Sequence, residues 1–279
     1  MLSYRHAFHA GNFADVLKHL ILVEILTHLK KKDSPFCYID THAGAGKYHL
    51  HGDYALQTRE FENGIGKLWQ HQDLPDSVAN YVNVVKQFNN KPLTHYPGSP
   101  MIAKKLLRPN DRLVLFELHS TDFALLAHAV NKDKRIKLFH SDGFQECLKL
   151  LPPHERRGLL LIDPSYEIKS DYRQVAEMLL KMHRRFATGT YAVWYPVIDR
   201  RRNQQLEKTM AASGIKNVQL FELGIKADTD SHGMTGSGMI VVNPPWTLAA
   251  QMQVTLPWLT DILGNTVEGY YRIQTLVDE

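Results

Sequence analysis

The sequence predicts an α/β fold: a doubly wound, mostly parallel sheet of seven strands with an antiparallel last strand and a small helical insertion. Three observations predict it. Short apolar runs alternate with helix-length amphipathic segments along most of the chain. The runs are nearly continuous in apolar character, as strands buried on both faces are. Between the last two runs lies only a Gly- and Ser-rich loop, Ala227–Gly238, so that pair is antiparallel. The expected organisation is one domain over residues 1–279, with an N-terminal tail at 1–11 and an insertion at 50–95.

Taken in order, the tail packs Tyr4, Arg5, His6, Phe8 and His9 closely. Asn12, three residues before Asp15, reads as the N-cap of a helix running to about Lys31, with lysines at its C-terminus where the helix dipole favours cations. Asp15, Lys18 and His19 are spaced i, i+3, i+4 and share a face. Spacing alone makes that face a solvated surface. A strand at 36–40 comes next, then the glycine turn. Residues 50–95 contain no strand-like run and read as helix (59–69), turn (73–75) and helix (78–89). Tyr96-Pro97-Gly98-Ser99-Pro100 is a turn into a helix at 101–107. The alternation then resumes: strand 113–118, helix 122–130, strand 136–140, helix 144–151, strand 158–162, helix 172–186, strand 191–197, helix 204–213, strands 218–223 and 239–242.

Composition narrows the class. In 279 residues, 44% hydrophobic and 22% charged content describes an ordinary soluble globular chain, and no apolar run approaches the ~20 residues of a membrane span. The N-terminus has no apolar core of a signal peptide. Two cysteines, Cys37 and Cys147, supply no disulfide framework or paired metal motif, which points to a reducing cytosol and to no metal. The net charge of +4 includes the clusters Lys30–Lys32, Lys104–Lys105, Arg156–Arg157, Arg184–Arg185 and Arg200–Arg202. Such clusters can neutralise nucleic-acid phosphates, although each alone is more simply a solvated helix end.

Ligands of a parallel sheet sit beyond the C-terminal ends of its strands. That edge collects Asp40, His42, Glu117, Asp142, Asp163 and Tyr166. The first strand, FCYID, runs into a turn through Gly44 and Gly46, where a ligand can approach the backbone. This turn is neither the dinucleotide fingerprint, because position 49 is His49, nor a P-loop, because positions 41 and 48 are Thr41 and Tyr48. An acid, a spacer and G-x-G suit S-adenosylmethionine, which brings an ammonium and a carboxylate rather than phosphates. Asp40 is expected to take the methionine ammonium, Glu117 the ribose hydroxyls and Asp142 the adenine amino group.

Asp163-Pro164-Ser165-Tyr166 approaches the [D/N]-P-P-[Y/F/W] tetrad of amino-group methyltransferases. An adenine N6 lone pair is delocalised into its ring and is a poor nucleophile. The Asp163 carboxylate and the Pro164 carbonyl can accept its two N–H bonds and localise that pair, while Tyr166 stacks on a base flipped out of its helix. Ser165 replaces the usual second proline and loses its fixed φ. Asn243-Pro244-Pro245-Trp246 matches the tetrad more literally. It comes after the antiparallel strand, however, and so is expected at the opposite edge, as a turn that ends the sheet.

With LSYRHAFHAGNFADVLKH, DTHAGAGKY, YPGSP, DPSYE, YAVWYP and GMTGSGMIVVNPPW in place, the whole chain resembles the RlmJ family of bacterial 23S ribosomal RNA adenine-N6 methyltransferases. The resemblance implies a Rossmann-like methyltransferase fold and S-adenosylmethionine as cofactor, leaving as S-adenosylhomocysteine. It implies cofactor contacts from Lys18, His19, His42, Ser99, Glu117, Asp142, Gly143 and Asp163, and a catalytic Asp163. It also implies that Tyr4, His6 and Lys18 meet the RNA base. The expected partner is 23S rRNA, naked or early in assembly, met by a cytoplasmic monomer away from membranes.

Three other readings compete. A DNA adenine-N6 methyltransferase would share the chemistry, but the insertion is small for a groove-reading module. A non-catalytic nucleic-acid binder or uptake protein would use the basic clusters alone, and strand-end acids oppose it. A metal nuclease lacks ligand spacing, since neither His6/His9 nor His49/His51 has a carboxylate partner in a known motif.

Overall fold

The computed structural model describes residues 5–168, 170–228, 233–264 and 268–279. A short 3-10 turn, His6–Phe8, leads into α1 (Phe13–Leu29), whose cap Asn12 accepts hydrogen bonds from the backbone N–H groups of Ala14 and Asp15. β1 (Cys37–Asp40) and β2 (Lys47–His49) precede the insertion helices α2 (Asp53–Thr58), α3 (Ile65–Trp69) and α4 (Asp76–Lys86). Then come β3 (His95–Pro97), α5 (Ser99–Leu106), β4 (Arg112–Phe116), α6 (Ser120–Val130), β5 (Ile136–Phe139), α7 (Gly143–Cys147) and β6 (Gly158–Ile162). The chain closes with α8 (Asp171–Arg185), β7 (Thr190–Val197), α9 (Arg200–Ala211), β8 (Val218–Gly224), β9 (Gly236–Val242), α10 (Leu248–Leu263) and β10 (Tyr270–Val277).

The main sheet runs β10-β8-β9-β7-β6-β1-β4-β5. Strands β5, β4, β1, β6 and β7 are parallel, and β9 enters antiparallel between β7 and β8. The sheet therefore has eight strands where seven are expected, because β10 adds antiparallel to β8. The Asn243–Trp246 turn does not end the sheet: α10 and β10 come after it. β10 escapes the sequence pattern because it is an edge strand with mixed exposure, and α10 carries Pro257 in its interior.

Helices cover both faces, as parallel strands require. α1, α5 and α10 pack one face with Leu113, Leu115, Leu159, Leu161 and Val241; α7, α8 and α9 pack the other with Val114, Phe116, Leu160 and Ile162. α1 is apolar nearly all round, with Leu17, Leu20, Ile21, Leu22, Ile25 and Leu26 fully buried. It is a core helix, packed against α4, α5, α10 and β9. The insertion is less purely helical than expected. Its flanks pair as a ribbon, Lys47–His49 against His95–Pro97, so the segment before Gly98 is a strand rather than a turn. No helix among the described residues is long and apolar enough to cross a membrane.

Candidate active site

A cavity of about 510 Å³ opens beyond the C-terminal ends of β1, β4, β6 and β7, within the ~300–1,000 Å³ typical of small-molecule sites. α1 enters it side-on. Asp15, Lys18 and His19 are buried at 1%, 4% and 1% exposure, so the solvated-surface reading of this face is overturned. The i, i+3, i+4 spacing does align them, but towards the strand ends rather than towards water. Lys18 Nζ lies 2.6 Å from Asp163 Oδ2 and 2.9 Å from Asp15 Oδ1. Burial opposes the Lys18 charge, yet the two carboxylates outweigh it and raise its pKa. Burial likewise disfavours charge on Asp15, but His6 and Lys18 hold its pKa well below the carboxylate range. His19 Nδ1 meets the Tyr96 hydroxyl at 2.7 Å, and burial drives its pKa down to about 3, leaving it neutral.

Across the cavity, Glu117 stands just beyond β4. Its Oε2 accepts the Gly44 N–H at 2.7 Å and its Oε1 accepts the His119 N–H at 2.7 Å; burial raises its pKa against those bonds. Gly44 and Gly46 adopt φ of 62° and 81°, which a residue with a Cβ would resist. Only Gly44 reaches the cavity; Gly46 packs near Leu126 and holds the turn. Asp142 caps α7, its Oδ1 accepting the N–H groups of Phe144 (2.8 Å) and Gln145 (3.4 Å). Gly143 abuts β1 so closely that a Cβ there would overlap the Thr41 carbonyl oxygen. His42 sets its edge on Phe144 with ring centroids 4.8 Å apart, and burial lowers its pKa to about 4. Ser99 lines the cavity and donates to Asp40 Oδ2 at 2.7 Å.

Besides Gly46, two expected site residues sit behind the wall instead. Asp40 is fully buried and outside the cavity lining. Its Oδ2 accepts the Tyr38 and Ser99 hydroxyls at 2.7 Å each, and its Oδ1 accepts the His42 N–H at 3.2 Å. Burial pushes its pKa to about 6. Asp40 therefore orients Ser99 and His42 rather than meeting an ammonium itself. Tyr166 is also inside: it adopts φ of 52°, its hydroxyl donates to the Trp194 carbonyl at 2.6 Å, and its ring packs 4.6 Å from that of Tyr172. With the chain turned this way, Pro164 and Ser165 line the cavity and Tyr166 does not.

The aromatic that does face the cavity beside Asp163 is Trp194, which sequence reasoning leaves without a role. It stands on β7, its indole N–H donates to Ser237 Oγ at 2.7 Å, and its ring lies 5.6 Å from Lys18 Nζ. An aromatic ahead of a proline at a strand end, as in Trp194-Tyr195-Pro196, is the available signal. At the entrance, His6 Nε2 bonds Asp15 Oδ2 at 2.9 Å and stacks edge-on to Tyr48. His9 pairs with Glu60 of the insertion at 3.0 Å. Tyr4 lies outside the described residues. No His, Cys, Asp and Glu grouping among the described residues could hold a metal. The second tetrad lies at the opposite edge as expected: Asn243 Nδ2 donates to the Ala187 and Gly189 carbonyls, just before β7 begins.

The cavity thus offers acceptors for hydroxyl and amino groups along one wall and, at Asp163, an acceptor occupied by an N–H donor next to an aromatic ring. A family model described as "RsmJ: Ribosomal RNA large subunit methyltransferase D, RlmJ" matches residues 33–277. The chain is 49% identical over 280 residues to ribosomal RNA large subunit methyltransferase J of Escherichia coli (strain K12), covering 100% of both chains. It is 47% identical over 281 residues to the Haemophilus influenzae protein of the same name, again covering 100% of each. The crystal structure of a Legionella pneumophila protein superposes with a TM-score of 0.89 at 38% identity, covering 96% of this chain and 98% of that one.

Proposed function

Because the chain belongs to the RlmJ family of ribosomal RNA large subunit methyltransferases, we propose that it methylates the exocyclic N6 of one adenine in 23S ribosomal RNA. It is an S-adenosylmethionine-dependent enzyme with a Rossmann-like fold. The donor set fits that cofactor. Glu117 and Asp142 offer carboxylates to a ribose diol and an adenine amino group. Ser99 and neutral His19 and His42 line the cavity, and the buried Nδ1 of His119 has no partner among the described residues. When bound, S-adenosylmethionine supplies an electrophilic methyl group on its sulfonium.

The protein's own task is to make a weak nucleophile attack. The observation that carries the reading is the Lys18 ammonium, a protein N–H donor 2.6 Å from Asp163 Oδ2. An adenine amino group in that place would be held by Asp163 and by the Pro164 carbonyl, its lone pair localised and its departing proton met by the carboxylate. Lys18 keeps Asp15 as a partner when it yields Asp163. Trp194, rather than Tyr166, is the ring against which the flipped base packs. His6 meets the base at the cavity entrance, with Tyr4, which lies outside the described residues, as a further contact. The substrate is naked or early-assembly 23S rRNA, and the enzyme is a cytoplasmic monomer built as one domain.

Single-turnover transfer from labelled S-adenosylmethionine to deproteinised 23S rRNA, with duplex DNA alongside, tests this. Methylation of RNA alone, lost in Asp163→Ala, is the expected result. Preferential DNA methylation, or no heat of cofactor binding at tens of micromolar, would overturn it.

A further inference from the structure

The edge of the sheet opposite the cavity holds a motif that the reaction does not use. Asn243 adopts φ of 49°, and its turn is fastened on all sides. Its N–H donates to the Asn217 carbonyl at 2.9 Å, its Nδ2 to the Ala187 and Gly189 carbonyls at 2.8 Å each, and its own carbonyl accepts from Thr190 Oγ1 at 3.0 Å. Pro244 and Pro245 stiffen the backbone immediately after it. On this rigid turn Trp246 is 84% exposed. A large apolar ring held in water by so many bonds is not left there by a floppy loop.

Charge separates the cavity from the opposite edge. The cavity is lined by seven acids (Asp15, Glu117, Asp122, Asp142, Asp163, Glu167, Asp171) and, among lysines and arginines, by Lys18 alone. Such a lining repels phosphate, so affinity for a polyanion has to come from outside the cavity. At the Trp246 edge, the acids Asp111, Glu155 and Asp133 are each paired to an arginine, whereas Asp33, Asp278 and Glu279 are exposed without an ion pair among the described residues, and so are the cations Lys134 and Lys216. Lys31, Lys32, Arg156 and Arg184 are exposed there and form no ion pair among the described residues. Their placement comes from the fold. Arg156 precedes β6, two strands from β9, and Lys31–Lys32 precede β1, three strands away, roughly 10–15 Å at the usual strand spacing. Arg157 binds the Leu29 carbonyl and so fixes the end of α1 beside that loop. Arg184 lies three residues before Ala187, to which Asn243 is bonded.

We propose that this edge is a second RNA-contact surface, with Trp246 as a stacking platform for an unpaired base and the flanking cations on backbone phosphates. Exposed aromatics interleaved with cations bind single-stranded or looped RNA without sequence readout. The surface lies about 20 Å from Asp163 by strand length, so it holds a part of the RNA remote from the target nucleotide. The inference rests on the RNA-methyltransferase reading for the identity of its polyanion.

The test is equilibrium binding of deproteinised 23S rRNA as salt is varied, for the wild type, Trp246→Ala, Trp246→Phe and Arg156→Ala/Arg184→Ala. Cofactor calorimetry and single-turnover methylation at saturating RNA accompany it. Trp246→Ala is expected to weaken RNA binding about tenfold, and Trp246→Phe to restore most of it. The arginine pair should weaken binding and flatten the salt dependence by one to two phosphate contacts. Cofactor affinity and the saturated rate should stay at wild-type values in all three. RNA affinity unchanged in every variant overturns the surface, as does loss of a co-purifying protein with RNA binding intact. A wild type that binds cofactor but neither binds nor methylates rRNA overturns the function itself, a separately recognisable outcome.

Discussion

The ammonium of Lys18 rests 2.6 Å from the Asp163 carboxylate, with both groups withdrawn from bulk water. The acceptor proposed to activate adenine is thus satisfied before any base arrives, by a donor that Asp15 holds from its other side at 2.9 Å. Substrate exchanges one N–H donor for another and leaves no bare carboxylate.

Asp163→Ala is therefore expected to lower the single-turnover rate by about 10²–10⁴-fold at saturating cofactor. Ser165→Pro should keep wild-type activity, because it leaves the Pro164 carbonyl in place. Asn243→Ala should keep the rate within a few-fold and lower stability instead, through the bonds to Ala187 and Gly189. A dead Asn243→Ala beside an active Asp163→Ala would move the active site to the other edge.

Glu117→Ala should weaken S-adenosylmethionine binding about tenfold or more, since unpaired ribose donors cost roughly 1–3 kcal/mol. It also frees the Gly44 and His119 N–H groups that set the turn. Calorimetry checks this, and unchanged affinity would reduce Glu117 to a turn fastener.

Trp194→Ala should cut kcat/KM for RNA about tenfold, with cofactor affinity unchanged and partial recovery in Trp194→Phe. Tyr166→Phe removes only the bond to the Trp194 carbonyl and should be the milder change. If Tyr166→Phe is tolerated, Tyr166→Ala crippled and Trp194→Ala harmless, the tyrosine swings out to stack.

His19 has a folded pKa of about 3 against about 6.5 when unfolded. Between those values the unfolded chain binds more protons, so stability rises with pH there and is lost as pH falls below about 6.5. His42, at about 4, acts in the same direction. His19→Gln, which can still accept from Tyr96, should shift the urea midpoint less between pH 7 and 5 than the wild type does. An identical pH dependence in both would remove His19 from the acid response.

The sequence makes the parallel core legible because buried strands such as GLLLI at 158–162 read as unbroken apolar runs, and the strand-end acids are a consequence of topology. It also places the second tetrad on the far edge, from the direction of one strand. The features it hides depend on side-chain direction. Nothing in the spacing distinguishes a cavity-facing Asp15, Lys18 and His19 from a wet surface, or shows that Asp40 spends both oxygens on Tyr38, Ser99 and His42. Tyr166 turns inward at a positive φ that no residue type announces. Edge strand β10 is hidden because its exposure is mixed on both faces, so neither alternation nor burial marks it.

α1 carries Lys18 and His19 yet is wrapped by β9 and α10, which the ribosome makes more than two hundred residues later. A helix that is apolar nearly all round cannot stay in water by itself; α4 and α5 cover part of it early, and the rest waits for β9 and α10. The candidate site is therefore expected to reach its final form only after β9 and α10 are made. A fragment ending at residue 235 should leave α1 open to protease and fail to bind S-adenosylmethionine. Protection of α1 in that fragment would show that the helix docks without β9.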